Sequence, residues 1–240
     1  MTLDLLLWAV LPYVTITVFA GGLAWRYRHD RFGWTTRSSQ LHESRLLRIA
    51  SPLFHFGLLF VLAGHVGGLL VPASVTRWLG VHDEQYHLVS LVAGGLAGAA
   101  AVLGLGALLY RRWRTPAVRA ATGRDDRITF PVLAAVLLLG MAATVVTNGM
   151  GGGYDYRETV SPWVRGVLLL HPDPGLMHDV PLPYRLHALA AMALFALWPF
   201  SRLVHALSVP LHYLVRPYIV YRSRDDRLAS RPAPRGWGDR

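Results

Sequence analysis

The chain has 240 residues, 53% of them hydrophobic and gathered in long blocks, with a mean hydropathy of +0.34, which describes an integral membrane protein of several spans. All 24 basic residues are arginine, the formal net charge is +10, and there is no cysteine. The missing thiols exclude disulfides, c-type haem attachment, cysteine-held iron–sulfur clusters and thiolate nucleophiles; the basic residues abut hydrophobic blocks, which speaks for membrane topology and against nucleic acid as a partner.

Five blocks reach or approach the roughly 20 apolar residues that a bilayer crossing needs. They cover residues 5–25, 47–71, 86–110, 128–147 and 186–209. None alternates with period two, so the expected fold is all-α, with five transmembrane helices and not a barrel. The first block follows Asp4 with no basic residue before it, unlike the positive start of a secretory signal, and reads as a retained span. Six arginines lie from Arg26 to Arg48 at the junction of the first and second blocks, six between the third and fourth, and seven from Arg216 onward. The two other connections hold Arg77 alone, and Arg157, Arg165 and Arg185. By the positive-inside rule the N-terminus is outside and the C-terminus cytoplasmic. The organisation is thus a membrane domain over residues 1–221 and a basic cytoplasmic tail over 222–240, the latter with a disordered composition. The outer loop 148–185 opens on a glycine-rich stretch. Within it, 160–170 mixes Trp163, Arg165 and aliphatics in the manner of an interfacial helix.

The second block carries His55 and His65, and the fifth carries His187 and His205. An ionisable side chain at membrane depth is costly and marks a functional site by default. Pairing by depth sets His65 with His187 toward the outside, and His55 with His205 toward the cytoplasm. On straight helices the separations are about 15 Å and about 27 Å, so two bis-histidine haems would need tilted helices or tilted planes. Two other readings compete: hydrogen bonds between neighbouring helices, and a proton relay in a transporter. Relays recruit carboxylates, and none lies inside the spans. Gly64, Gly67 and Gly68 beside His65 suit a flat macrocycle.

Haem propionates are anionic and call for arginine or hydroxyl partners. Arg112 and Arg202 lead the candidates, with Arg111, Arg37 and Ser39 at similar depth, although for each the first reading is a topology determinant. Tyr86 and His87 open the third block at the depth of His65, either as an interfacial anchoring pair, the reading the residues favour, or as contacts of a quinol pocket in which a histidine accepts the quinol proton. Gly94 and Gly98 have the spacing of a close helix crossing. His29, His42 and His212 lie in arginine-rich segments and His82, His171 and His178 in outer loops, with no such role.

The segments LFHFGLLFVLAGHVGGLLVP and YRLHALAAMALFALWPFSRLVHALSVPLHYLVRP resemble the membrane cytochrome b (gamma) subunit of respiratory nitrate reductase. RYRHDRFGWTTRSSQ, VAGGLAG and RRWRTPAVRAATG do the same, so that the resemblance covers nearly the whole chain. It implies two b-type haems, with His65 and His187 matching the ligands of the outer one and His55 and His205 those of the inner. It also implies that membrane quinol is oxidised near His65, Tyr86 and His87. Electrons would then pass to an iron–sulfur beta subunit and a molybdenum-containing alpha subunit in the cytoplasm, with the chain itself multi-pass in the cell membrane. Members of that family carry a lysine where Tyr86 and His87 stand here. A cytochrome b subunit of another quinone-linked oxidoreductase is the sister reading, and a haem-free transporter or anchor the rival.

Overall fold

The structure, a computed structural model, describes residues 2–34, 38–151 and 153–208. Arg37, His212 and the tail 222–240 lie outside the described residues. Among the described residues, four continuous helices are long and apolar enough to cross a bilayer: α1 (Leu3–His29), α2 (Arg45–Leu70), α3 (Asp83–Arg114) and α4 (Arg124–Met150). A short helix, α5 (Val160–Leu168), precedes the last span, α6 (Leu182–Phe200), which is followed by tight 3-10 turns over Arg202–Ser208. Helices satisfy their own backbone groups where lipid cannot, and their outer faces expose Phe56, Phe60, Leu96 and Leu138 as lipid contact requires.

Packing runs from α2 to α3, α3 to α4, α4 to α6 and α6 to α1. Among the described residues α2 and α6 have no packing of that extent; they face one another through histidines. The α2–α3 crossing is close because of Gly57 and Gly104. A Cβ on Gly57 would lie 2.6 Å from the backbone nitrogen of Ala101, and one on Gly104 would run into the backbone of Phe54. The expected Gly94–Gly98 pair does not make this approach: a Cβ on Gly94 would meet nothing within 4 Å, and Gly98 lies against Met141. Phe54, Ala101, Leu105, Leu133, Leu137 and Leu194 fill the core beside it.

At the arginine-poor end, three helices widen into π turns, over Leu6–Val10, Val66–Leu70 and Ala143–Met150. Such turns release carbonyls from the regular ladder. The α5 segment takes them up: Ser161 Oγ donates to Gly68 O at 2.9 Å, Arg165 to Leu69 O at 3.0 Å, and Trp163 Nε1 to Trp8 O at 2.7 Å. Val160, Ser161, Trp163 and Val167 are buried by this, with Trp163 edge-on to Trp8. The helix expected within 160–170 is present over Val160–Leu168; its Val160, Trp163 and Val167 face enters the protein, while Leu168, Leu169 and Leu170 stay exposed.

The fifth span also departs from the single straight block 186–209. It turns by 81° between α6 and the following 3-10 segment. Pro199 removes a backbone donor, and Ser201 is extended at φ −119°, ψ 177°. Ser201 Oγ then accepts from Leu203 N at 3.2 Å, in the manner of a helix N-cap, and starts the new direction.

Candidate functional site: two histidine layers

The bend removes the mismatch between the two histidine spacings. His65 and His187 face each other with ring centres 5.9 Å apart, and His55 and His205 with ring centres 6.4 Å apart. All four imidazoles are fixed in the same way. Nδ1 of His55 donates to Ser51 O (2.7 Å) and that of His65 to Val61 O (2.8 Å), each one turn back on α2. Nδ1 of His187 reaches Val136 O of α4 (3.0 Å), and that of His205 reaches Arg202 O (2.6 Å). Each bond selects the tautomer whose Nε2 carries the lone pair, the usual preparation of a metal-binding histidine. Gly140 makes room for His187, since a Cβ there would meet the ring at 3.0 Å.

A metal–imidazole bond is about 2.0–2.1 Å and the bonded nitrogen lies about 1.1 Å from its ring centre, so two rings on one metal stand about 6.3 Å apart. Both pairs fit that span. Zinc takes three or four protein ligands, whereas among the described residues no three His, Cys, Asp or Glu side chains converge. Two imidazoles across one gap could serve as the axial donors of a haem, a group whose macrocycle brings the other donors itself. A Cβ on Gly64 or Gly67, next to His65, would meet nothing within 4 Å, so that flank suits a flat group.

Tyr86, on α3, brings its hydroxyl to α2 about one turn beyond His65, 3.1 Å from the position a Cβ on Gly68 would take. It exchanges a hydrogen bond with Tyr156 at 3.3 Å, and the Arg157 guanidinium covers its ring at 3.8 Å. Arg157 is buried; it donates to Thr76 and lies 3.7 Å from Asp83. Burial pushes the Tyr156 phenol well above its ordinary range, with Tyr86 adding to the effect, so Tyr156 stays protonated. His87 points elsewhere: its ring lies 3.5 Å from where a Cβ on Gly153 would stand. The two adjacent residues thus serve different surfaces.

At the arginine-rich end, Arg112 and Arg202 come together on Asp126, which is 0% exposed. Arg202 binds both carboxylate oxygens, the second at 2.6 Å, and Arg112 adds a contact of 3.3 Å and a bond of 2.7 Å to Thr122. Both guanidinium groups also lie over Phe130, 4.5 and 5.4 Å from its centre. Two cations on one anion leave a net positive charge near His205. Arg111 and Ser39 are occupied with each other, Arg111 donating to Ser39 Oγ and O at 2.8 Å each and pairing with Glu43. Sequence reasoning passed over Asp126, Arg26, Tyr156, Arg157 and Ser161. Only Asp126 had a local signal: an acidic residue in the first turn after Gly123, whose N–H it accepts at 3.2 Å.

The fold and site define a multi-pass helical membrane protein whose second and last spans present two stacked histidine pairs. The sequence pattern of the nitrate reductase gamma subunit family matches residues 4–224, and the chain belongs to that family. It is 46% identical over 219 residues to the nitrate reductase gamma chain of Bacillus subtilis, covering 91% of this chain and 98% of that one. It is 33% identical over 224 residues to the respiratory nitrate reductase 2 gamma chain of Escherichia coli, covering 92% and 98%. The nitrate reductase-like protein NarX of Mycobacterium tuberculosis is 52% identical over 233 residues, 97% of this chain, but the chain spans only 36% of that protein's length.

Proposed function

We propose that this chain is the quinol-oxidising membrane subunit of a nitrate reductase, with two b-type haems held by His65 with His187 and by His55 with His205. The observation that carries the proposal is the shared geometry of the four imidazoles: two facing pairs at 5.9 and 6.4 Å, each ring with Nδ1 on a carbonyl. Membership of the nitrate reductase gamma subunit family favours this over another quinone-linked oxidoreductase. When bound, the haems supply one-electron carriers at two depths, linking quinol on one side to acceptors on the other.

The protein contributes binding, orientation and proton handling. The Nδ1 bonds hold each imidazole plane and raise its basicity toward a metal. At the arginine-poor end, the Tyr86 hydroxyl is the group placed to accept a hydrogen bond from a quinol, with protonated Tyr156 behind it and Arg157 fixing its ring. His87 is the second candidate in that neighbourhood. At the other end Arg202 and Arg112, held by Asp126, offer the positive charge that haem propionates require. Arginine distribution supports an outside location for the Tyr86 end and a cytoplasmic one for the Arg202 end. There an iron–sulfur beta subunit and a molybdenum-containing alpha subunit would receive the electrons.

A reduced-minus-oxidised spectrum of the purified chain, expressed with haem supplied, tests the reading. Two b-type components reducible by a quinol analogue are expected. Absence of b-type absorbance would overturn it.

A further inference from the structure

We infer that Arg26, with Gly22 one turn before it on α1, positions the inner histidine pair by holding the break in the last span at the angle that turns His205 toward His55. The inference rests on the two-haem reading above.

Where α6 ends, its carbonyls lose the next helical turn that would have satisfied them. Such orphans are costly near lipid. Arg26, 5% exposed, supplies the donors: Nη1 binds Pro199 O at 2.7 Å and Ser201 O at 3.0 Å. These two carbonyls flank the extended turn at Ser201. Nη2 binds Gly33 O at 3.0 Å and Nε lies 3.4 Å from Asp30, so the guanidinium is itself anchored to the segment following α1. A cation at a helix C-terminus is also favoured by the helix dipole.

Gly22 completes the device. A Cβ there would lie 2.8 Å from Pro199 Cβ and 3.1 Å from the Phe200 ring, so only glycine lets the break seat against α1. The effect then passes along the backbone. Ser201 fixes the direction of 202–208, and the carbonyl of Arg202 orients the His205 ring through its 2.6 Å bond. Arg26 bonds to the carbonyls at the break and to the segment after α1, and so acts on His205 through the chain between them, as a positioning residue.

The test uses the full chain carrying haem. His55→Ala and His205→Ala first identify which low-spin haem signal in the electron paramagnetic resonance spectrum is the inner one. Arg26→Gln is expected to shift or abolish that signal and to leave the outer one in place. Arg26→Lys, which keeps a cationic donor, is expected to restore it in part. Gly22→Ala, which wedges Pro199 away without touching Arg26, is expected to shift the same signal and so covers the case in which Arg26→Gln does not accumulate. An inner signal unchanged in Arg26→Gln or in Gly22→Ala overturns the inference, as does equal loss of both signals in all three variants. Wild-type protein without haem signals would instead overturn the functional reading on which the inference stands.

Discussion

His205 faces His55 at 6.4 Å because the last span turns by 81° after Phe200. Without that turn the histidines of α6 would stand about 27 Å apart along one axis and those of α2 about 15 Å, and no common pair of layers would fit both. The pairing makes a prediction by subtraction. His55→Ala and His205→Ala are each expected to remove the same one of two haem components, and His65→Ala and His187→Ala the other, read from haem content and the redox-difference spectrum. Coincidence of His65→Ala with His205→Ala would break the layering.

The apolar helices were legible because a bilayer imposes length and hydropathy on the chain directly, and the order of the histidines along them is enough to match the ring pairs His65–His187 and His55–His205. The bend was half legible. Pro199 and Ser201 mark a weak point, but the donors that hold it open come from Arg26, 173 residues earlier. An arginine just after an apolar block looks like a topology signal whether or not it is buried. The role of 160–170 was illegible for a related reason. A helix with one apolar face reads the same beside lipid as beside protein, and only the carbonyl of Gly68, 93 residues away, decides for Ser161. Asp126 likewise reads as a helix-start acid until Arg202 is brought to it.

The cluster around Tyr86 predicts a separation between two adjacent residues. Tyr86→Phe removes the hydroxyl beside Gly68 and is expected to slow quinol oxidation about tenfold or more at unchanged haem content. His87→Ala, on the side of Gly153, is expected to have the smaller effect. Gly68→Ala should mimic Tyr86→Phe, since its methyl would collide with the Tyr156 hydroxyl and crowd that of Tyr86. Steady-state rates with a soluble quinol, set against haem content, check all three. A larger defect in His87→Ala than in Tyr86→Phe would make His87, and not Tyr86, the group that meets the quinol.

Acid sensitivity is expected at the loop before α2. The Glu43 carboxyl is held below its ordinary range by the Leu46 N–H and by Arg111, against an opposing effect of burial. Its folded value is depressed, so the stabilisation is present above the ordinary carboxylate range and is lost as pH falls through the lowered value. Thermal melts in detergent should show wild type above Glu43→Gln at neutral pH, with the two converging only as pH falls below the ordinary carboxylate range. Parallel curves across that range would mean that the charge of Glu43 adds nothing to the folded state.

Asp126 carries the largest expected stability effect. Its carboxylate is fully buried and joins Arg202 of the post-bend segment, Arg112 of α3 and the first turn of α4. Asp126→Asn keeps the volume but leaves two half-buried guanidinium groups facing each other. Stranding a charge in this way costs about 3 kcal/mol or more. The loss should appear as a lower melting temperature and reduced accumulation in the membrane. Removing one of the stranded cations then works in the opposite direction. Arg202→Met in the Asp126→Asn background is expected to recover part of the stability, whereas Arg202→Met alone is expected to destabilise by leaving Asp126 with Arg112 only. A double-mutant cycle over the four proteins measures this coupling. Additive losses would show that Asp126 and Arg202 are neighbours without being partners, and that Asp126 does not hold Arg202 for a propionate.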